Sequence, residues 1–186
     1  MLWVDSLVVV RTLNSIIVRS GSGTPMNQPH HKVADALVSL TITHEIISCD
    51  SAFADTTEFC REYGYPLETS ANTIVVTSTR GKKLYCACLV QASVKLDVNH
   101  VVKRLLGASR LSFATADETQ EITGMEIGGV TVFGLPPEIP IYVDAAVMDQ
   151  IYIIVGSGNR TSKVKMSPVE LVKIPNCFLI NDLSVT

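Results

Sequence analysis

The 186-residue sequence contains no apolar run of the roughly 18 residues that a membrane-spanning helix requires. Its first 20 residues do not fit a signal peptide, because Asp5 precedes the apolar run and Arg11 interrupts it. Charged residues make up only 18% of the chain, below the usual quarter. We therefore expect a cytoplasmic globular protein with no membrane partner, whose lightly charged surface leaves room for a homodimer interface.

Motifs of metal and serine hydrolases are also missing. The five cysteines are an odd number without the spacing of a disulfide framework, which indicates reduced thiols. Cys86 and Cys88 share one face of a predicted strand, but no nearby pair of His or Cys residues completes a metal site, and we interpret them as buried apolar side chains. No HExxH or GxSxG pattern occurs. We expect neither a metal nor a cofactor.

Positive charge is scarce as well. The net charge of −3 argues against a broad nucleic-acid-binding surface, so any such binding would depend on a few local basic residues. Taken alone, these residues are more simply explained as solvated side chains. They are Arg80, Lys82 and Lys83, then Lys103 and Arg104, then Arg160, Lys163 and Lys165.

Two β-hairpins are predicted. A β-branched strand begins at Asn72, turns at Arg80-Gly81 and returns as the apolar segment 84–90. The second hairpin covers residues 151–166 around a Gly-Ser-Gly-Asn turn.

Helix-start signals lie between and around these hairpins. They predict helices beginning near Pro29, at Asp50 or Ser51, at Asp97, at Thr115 with a capping box, and at Ser167 with a second capping box. Together with the strands they predict one mixed α/β, α+β-like domain over residues 26–186. Residues 1–25 end in a Ser-Gly-Ser-Gly-Thr-Pro linker and are predicted to be an extension of uncertain fold.

Residues 123–140, which we call the glycine loop, contain four glycines and three prolines and are too irregular for a helix. The pair Gly128-Gly129 leaves backbone N–H groups unshielded, so it can bring donors close to an oxygen-rich ligand or a developing oxyanion. The alternative is that these glycines only meet a requirement for positive φ. A short apolar strand follows the loop and ends at Asp144, which either binds a ligand or caps the next turn.

The pattern Gly124…Gly128-Gly129-Val130-Thr131-Val132-Phe133-Gly134, followed by a strand ending in Asp144, resembles the YbaK/prolyl-tRNA-synthetase-associated domain family of trans-acting aminoacyl-tRNA deacylases. The upstream segment FCREYGYPLETSANTIVV and the segment LDVNHVVKRLLGASRLSFATADETQEITG are similar to the helices and strands of that family, in the same order. The resemblance covers most of the chain. It implies a curved mixed β-sheet flanked by helices.

The resemblance also implies an activity, hydrolysis of the ester of mischarged tRNA in trans. The partners would be the aminoacyl-adenosine end of the tRNA and an aminoacyl-tRNA synthetase. The scissile carbonyl would be held by residues 128–134 of the glycine loop, and Asn72, Thr73 and Asp144 would orient the aminoacyl-adenosine end. The implied catalytic residues are Gly128, Gly129, Gly134 and Asn72, and the implied substrate-binding residues are Thr73, Thr131, Phe133 and Asp144.

The chain departs from the family pattern at two positions. Asn72 stands where lysine is frequent, and it offers a neutral donor and acceptor in place of a fixed charge. Val132 stands where proline is frequent. Two alternatives therefore stay open. One is a non-catalytic member that binds a tRNA end, a nucleotide or a synthetase, and the other is a structural or interaction protein, which the acidic balance favours.

Overall fold

Residues 28–185, the part of the chain that the computed structural model describes, contain ten strands and four α-helices. The predicted extension, residues 1–25, lies outside the described residues. The α-helices are α1 (His31–Ser39), α2 (Thr56–Tyr63), α3 (Lys103–Leu106) and α4 (Ala116–Thr123). The strands are β1 (His44–Ser48), β2 (Ala71–Ser78), β3 (Tyr85–Gln91), β4 (Lys95–Leu96), β5 (Leu111–Phe113), β6 (Ile141–Asp144), β7 (Ile153–Gly156), β8 (Ser162–Met166), β9 (Cys177–Ile180) and β10 (Ser184–Val185).

Two sheets hold most of the strands. The larger sheet has the order β5-β2-β3-β6-β9 and is mixed, because β3, β6 and β9 run parallel while β5, β2 and β3 run antiparallel. The smaller sheet is antiparallel, with the order β1-β8-β7, and β4 pairs with β10. A single parallel bridge between Ser70 and Ile154 joins the two larger sheets. The mixed α/β architecture predicted from the sequence is thus confirmed.

Both predicted hairpins are present. β2 pairs with β3 from Ala71–Gln91 to Thr77–Tyr85, as its β-branched residues favour. β7 pairs with β8 in the second hairpin. Gly81, in the first turn, adopts a φ of 79°, which glycine accepts at little cost.

Some of the predicted helix starts are confirmed and others are not. At α4 the Thr115 hydroxyl accepts from the Glu118 N–H and the Glu118 carboxylate accepts from the Thr115 N–H, so the capping box is confirmed. Asp50 caps only the short 3-10 segment Ser51–Phe53, and α2 begins later, at Thr56.

The second predicted capping box, at Ser167, is wrong. The Ser167 side chain forms no cap, and Pro168–Lys173 is a 3-10 segment. The Glu170 carboxylate accepts instead from the backbone N–H of Thr43 and from Lys173 Nζ, at 2.9 and 2.7 Å. A bond to a distant part of the chain has replaced the local one.

Apolar side chains pack on both faces of the larger sheet, as alternation along β3 shows. Ala87 and Leu89 belong to a cluster with α1, the glycine loop and the smaller sheet. Cys86 and Cys88 point to the other face, where they pack against Val98–Val102 and are fully buried, as predicted. Within residues 28–185, no helix is long and apolar enough to cross a membrane.

Candidate functional site

A pocket lies at the edge of β2, between the end of β5 and the start of β7. Only the Ser70–Ile154 bridge and the three residues that pair with β5 flank this edge, so the middle of β2 is open among the described residues. The cavity volume is about 310 Å³, at the small end of ligand pockets. Its walls come from β2, β7, the start of α2, the glycine loop and Lys163 of β8.

Thr73 presents backbone groups to this pocket. The Ser78 N–H donates to Leu84 on the β3 side, and alternate residues of an antiparallel strand direct their N–H and C=O groups to the same side. Val75 accepts from the Ala114 N–H on the opposite side. Thr73 lies two residues before Val75 on the same strand, so its N–H and C=O point to the same side as those of Val75, which is the open edge. Its hydroxyl is buried and has no hydrogen-bond partner in the described part of the chain, so it is left to bond to a molecule in the pocket.

Asn72 is fixed by a neighbour on α2. Its Oδ1 accepts a hydrogen bond from Thr56 Oγ1 at 2.6 Å. Because the amide oxygen is occupied, the Nδ2 group is left to donate to a ligand. Both residues line the pocket.

Lys163 brings a buried cation to the pocket. The residue is only 4% exposed, and Nζ donates to the carbonyl oxygens of Ala54 and Gly128, at 2.6 and 2.8 Å. Burial lowers the pKa of Lys163. Lys163 forms no ion pair within residues 28–185. Asp55, the only carboxylate lining the pocket there, pairs with Arg160 at 3.2 Å instead.

Of the predicted glycines, Gly128 lines the pocket together with Asn72 and Thr73. Gly129 does not. Its N–H donates to the Glu126 carbonyl at 2.9 Å, and its carbonyl accepts from the Gly158 N–H at 2.7 Å. The prediction that Gly129 supplies a donor to a ligand is therefore wrong, because its amide is already bonded.

The remaining predicted residues of the glycine loop lie away from the pocket. Thr131 is completely buried, and Phe133 belongs to the core cluster beside α1. Gly134 has a φ of 74°, and a side chain there would lie 2.7 Å from the Lys32 carbonyl oxygen. Packing and backbone conformation account for Phe133 and Gly134, which do not line the pocket. The buried Thr131 hydroxyl has no hydrogen-bond partner among the described residues, so its contact with substrate stays a prediction.

Asp144 is also outside the pocket. The residue is buried at the end of β6, and Oδ1 accepts from the Ala146 N–H at 3.1 Å. It thus begins the 3-10 segment Ala145–Asp149, which was the alternative interpretation from the sequence. Asp144 therefore does not line the pocket with Asn72 and Gly128.

Three pocket residues were missed by sequence reasoning. Asp55 and Thr56 gave no motif signal, and Lys163 was grouped with solvated basic residues. Lys163 and Lys165 are two positions apart on one strand, so both side chains lie on the same face and the sequence does not distinguish them. Only the packing of the segment before α2 over β8, which is a long-range contact, buries the first and leaves the second partly exposed.

The pocket offers donors and charge but no ready nucleophile. No histidine or cysteine lines it among the residues described, and no cluster of three or more metal-binding side chains occurs there. Such a wall can orient a reactive ester and stabilise developing negative charge, with water as the attacking group.

The described pocket falls inside a region that resembles known proteins. A family model, described as the aminoacyl-tRNA editing domain, matches residues 50–174. The chain is 27% identical over 124 residues to the uncharacterized protein YwhH of Bacillus subtilis (strain 168), an overlap of 63% of this chain and 78% of that protein.

Solved structures agree in fold. The hypothetical protein APE2540 superposes with a TM-score of 0.74 at 24% identity, covering 83% of this chain and 100% of its own. A candidate trans-editing enzyme for prolyl-tRNA synthetase superposes with a TM-score of 0.71 at 22% identity, covering 83% and 96%. These likenesses show a shared fold alone. Because the family model spans well over half of the sequence and contains every wall of the pocket, the chain belongs to the aminoacyl-tRNA editing domain family.

Proposed function

We propose that this protein is a deacylase that hydrolyses the ester of mischarged tRNA in trans. The observation that carries the proposal is the open edge of β2, where Asn72, the backbone of Thr73 and Gly128 meet in one pocket. A family of editing domains supplies the substrate class. The cavity of about 310 Å³ suits an aminoacyl group with part of the adjoining adenosine, while the rest of the tRNA stays outside.

In this proposal the pocket holds the ester between donors and one carboxylate. Asn72 Nδ2 and the Thr73 N–H donate to oxygens of the aminoacyl-ribose end. Asp55, whose side chain is largely exposed, accepts from the aminoacyl ammonium group, in place of Asp144, which the resemblance implies as a substrate-binding residue. Thr56 follows Asp55 and bonds to Asn72, so both groups belong to the same wall.

Water attacks the ester carbon directly. An aminoacyl ester is already reactive, so positioning and electrostatic stabilisation are sufficient and no covalent intermediate is required. We place this reaction in the cytoplasm, with an aminoacyl-tRNA synthetase as the source of mischarged tRNA. A homodimer stays a prediction.

The test is a panel of mischarged tRNAs incubated with the purified full chain. We expect hydrolysis of at least one member of the panel at a rate well above the spontaneous rate, and loss of that activity when the pocket is filled by Val75→Trp. The matched control is Val172→Trp, because Val172 is 60% exposed and lies outside the pocket.

A non-catalytic binding module is the second candidate. Asn72 favours it, because a neutral amide gives less stabilisation to an oxyanion than the lysine frequent in the family. Binding of aminoacyl-tRNA without hydrolysis of any member of the panel would establish this second candidate in place of the first.

A further inference from the structure

Lys163 is a buried cation that has no anionic partner among residues 28–185. Its two hydrogen-bond partners there are neutral carbonyl groups, its ammonium lies 5.8 Å from the centre of the Phe59 ring, and Asp55 pairs with Arg160 instead. Removing an ammonium group from water is costly unless an opposite charge or several hydrogen bonds compensate. Among the described residues no anion compensates this charge, and a ligand with an oxygen acceptor in the pocket would stabilise it.

The position of Lys163 is set by two pocket walls. Ala54 precedes α2 on one side, and Gly128 belongs to the glycine loop on the other. An ammonium group has three N–H donors, and these two carbonyls occupy two of them. Because Lys163 itself lines the cavity, the third donor is available to a molecule inside it.

Only the part of the substrate that enters furthest into the pocket can contact Lys163. With only 4% of the residue exposed, the phosphates of a tRNA cannot approach it, whereas the small aminoacyl end can. The aminoacyl ammonium is repelled by like charge, which leaves the acyl oxygen. That oxygen becomes negative as water adds to the ester carbon, so a fixed cation stabilises it most in the transition state.

We propose that Lys163 is a catalytic residue that donates its third N–H to the acyl oxygen of the aminoacyl ester. The inference rests on the proposed function. Lys163 thereby supplies from β8 the fixed charge that Asn72 lacks at the start of β2. In the reaction, the water oxygen bonds to the acyl carbon and the C=O electron pair moves to the acyl oxygen. The ester C–O bond then breaks, and the ribose oxygen takes a proton from the attacking water. Lys163 keeps its protons throughout.

The experiment compares two stable ligands of the full-length protein. One is the amide analogue of an aminoacyl-adenosine end, which keeps the acyl oxygen, and the other is an alkene isostere without that oxygen. Wild type should bind the amide roughly tenfold to a hundredfold more tightly, the range for a hydrogen bond to a charged group. Lys163→Met should bind both ligands equally. Calorimetric titration measures both affinities.

Lys165→Met is the matched control, because Lys165 lies on the same strand, outside the pocket, and pairs with Glu45. It should keep the full preference for the amide. If Lys163→Met does not fold, Lys163→Gln replaces it, because its amide still donates to one carbonyl without a charge.

Each outcome decides the inference. A folded Lys163 variant that keeps the preference for the amide overturns the role of Lys163 and leaves the proposed function intact. Wild type that binds neither ligand, and hydrolyses no mischarged tRNA, overturns both. In single-turnover deacylation at saturating substrate, Lys163→Gln should still lower the chemical rate by tenfold or more, because the acyl oxygen gains its negative charge only in the transition state. Lys165→Met should leave this rate unchanged.

Discussion

The two halves of the glycine loop have different neighbours although their sequences look alike. Ile127, Gly128 and Val130 line the polar pocket beside β2. The segment from Val132 to Pro137 instead packs against α1 and Ile174–Asn176, around a second, apolar cavity of about 450 Å³. Gly128 in the first half lines the pocket, and a side chain there would meet the Arg160 guanidinium, whereas a side chain at Gly134 in the second half would meet the Lys32 backbone. Gly and Pro in a sequence therefore locate an irregular segment but do not tell which part of it faces a substrate.

The largest expected effect is on the apolar half. Phe133 is 1% exposed, so Phe133→Ala should lower the free energy of unfolding by about 3–5 kcal/mol. The deacylation rate per folded molecule should not change, because the side chain does not reach the pocket. Urea denaturation followed by single-turnover assay measures both quantities.

Ile127→Ala is the matched variant in the polar half. Ile127 is 47% exposed and lines the pocket, so its truncation should change stability by no more than about 0.5 kcal/mol while weakening substrate binding. A stable but inactive Phe133→Ala protein would contradict this division and return Phe133 to the substrate site.

A second prediction concerns acid stability beside the apolar cavity. Burial raises the pKa of Glu170, but the hydrogen bonds from Lys173 and from the Thr43 N–H, together with the positive charge of Lys173, hold this pKa below its usual value. The ionised carboxylate therefore stabilises the fold above about pH 4.3, and this stabilisation is lost as the pH falls through the lower folded-state pKa.

Glu170→Gln should accordingly lower the free energy of unfolding by about 1.5–3 kcal/mol at pH 7, the range for hydrogen bonds to a charged group. The difference between variant and wild type should shrink in acid. Unfolding curves at several pH values measure it, and a difference that is constant with pH would show that Glu170 acts through shape alone. Lys165→Met, whose ion pair with Glu45 is more exposed, provides the control with a small effect.

A third prediction compares glycines in the two halves. Gly128 and Gly134 both have positive φ, at 87° and 74°, so alanine at either position costs about 1–2 kcal/mol in backbone strain. At Gly134 the new methyl group also meets the Lys32 backbone, whereas at Gly128 it meets the end of the flexible Arg160 side chain. Gly134→Ala should therefore lose more stability, and Gly128→Ala more activity. Thermal unfolding and turnover are measured on both variants. If the two variants lose stability equally and lose activity equally, the two halves of the loop do not differ in role.

The smallest effect is expected at Asn72. Asn72→Ala removes one neutral hydrogen-bond donor. The transition state should lose about 0.5–1.5 kcal/mol of stabilisation, which lowers kcat/KM accordingly. Thr56→Val keeps the shape but removes the hydrogen bond that orients Asn72, and it should act in the same direction with a smaller size. If Asn72→Ala leaves the rate unchanged, the Asn72 amide does not contact the substrate in the polar pocket.

Local signals in the sequence predicted the local structure. The hairpin at Gly81 and the capping box at Thr115 depend on residues a few positions apart, and both are confirmed. The capping box at Ser167 has the same local pattern, yet Glu170 bonds to Thr43, 127 positions away. A bond of that span has no signature in the neighbouring residues.

The site was predicted less well for the same reason. Asn72, Thr73 and Gly128 could be placed because the family resemblance marks the strand start and the glycine pair. Lys163 could not, because its burial depends on Ala54, 109 positions away. Gly129 was misassigned because the sequence does not show that its amide is already bonded.

The backbone bonds of Gly129 have a consequence for the order of folding. The glycine loop and the turn between β7 and β8 are tied by two main-chain bonds, from Gly158 to Gly129 and from Glu126 to Gly158. These residues are about thirty positions apart, so the intervening chain must close into a loop, at a cost in entropy, before either bond can stabilise the fold. The polar pocket also needs the contact between Lys163 and Ala54, which are 109 positions apart, so it should be among the last features to appear during refolding. In hydrogen–deuterium exchange, the Gly158 and Glu126 amides should open together with the hairpin rather than with the exposed surface around them.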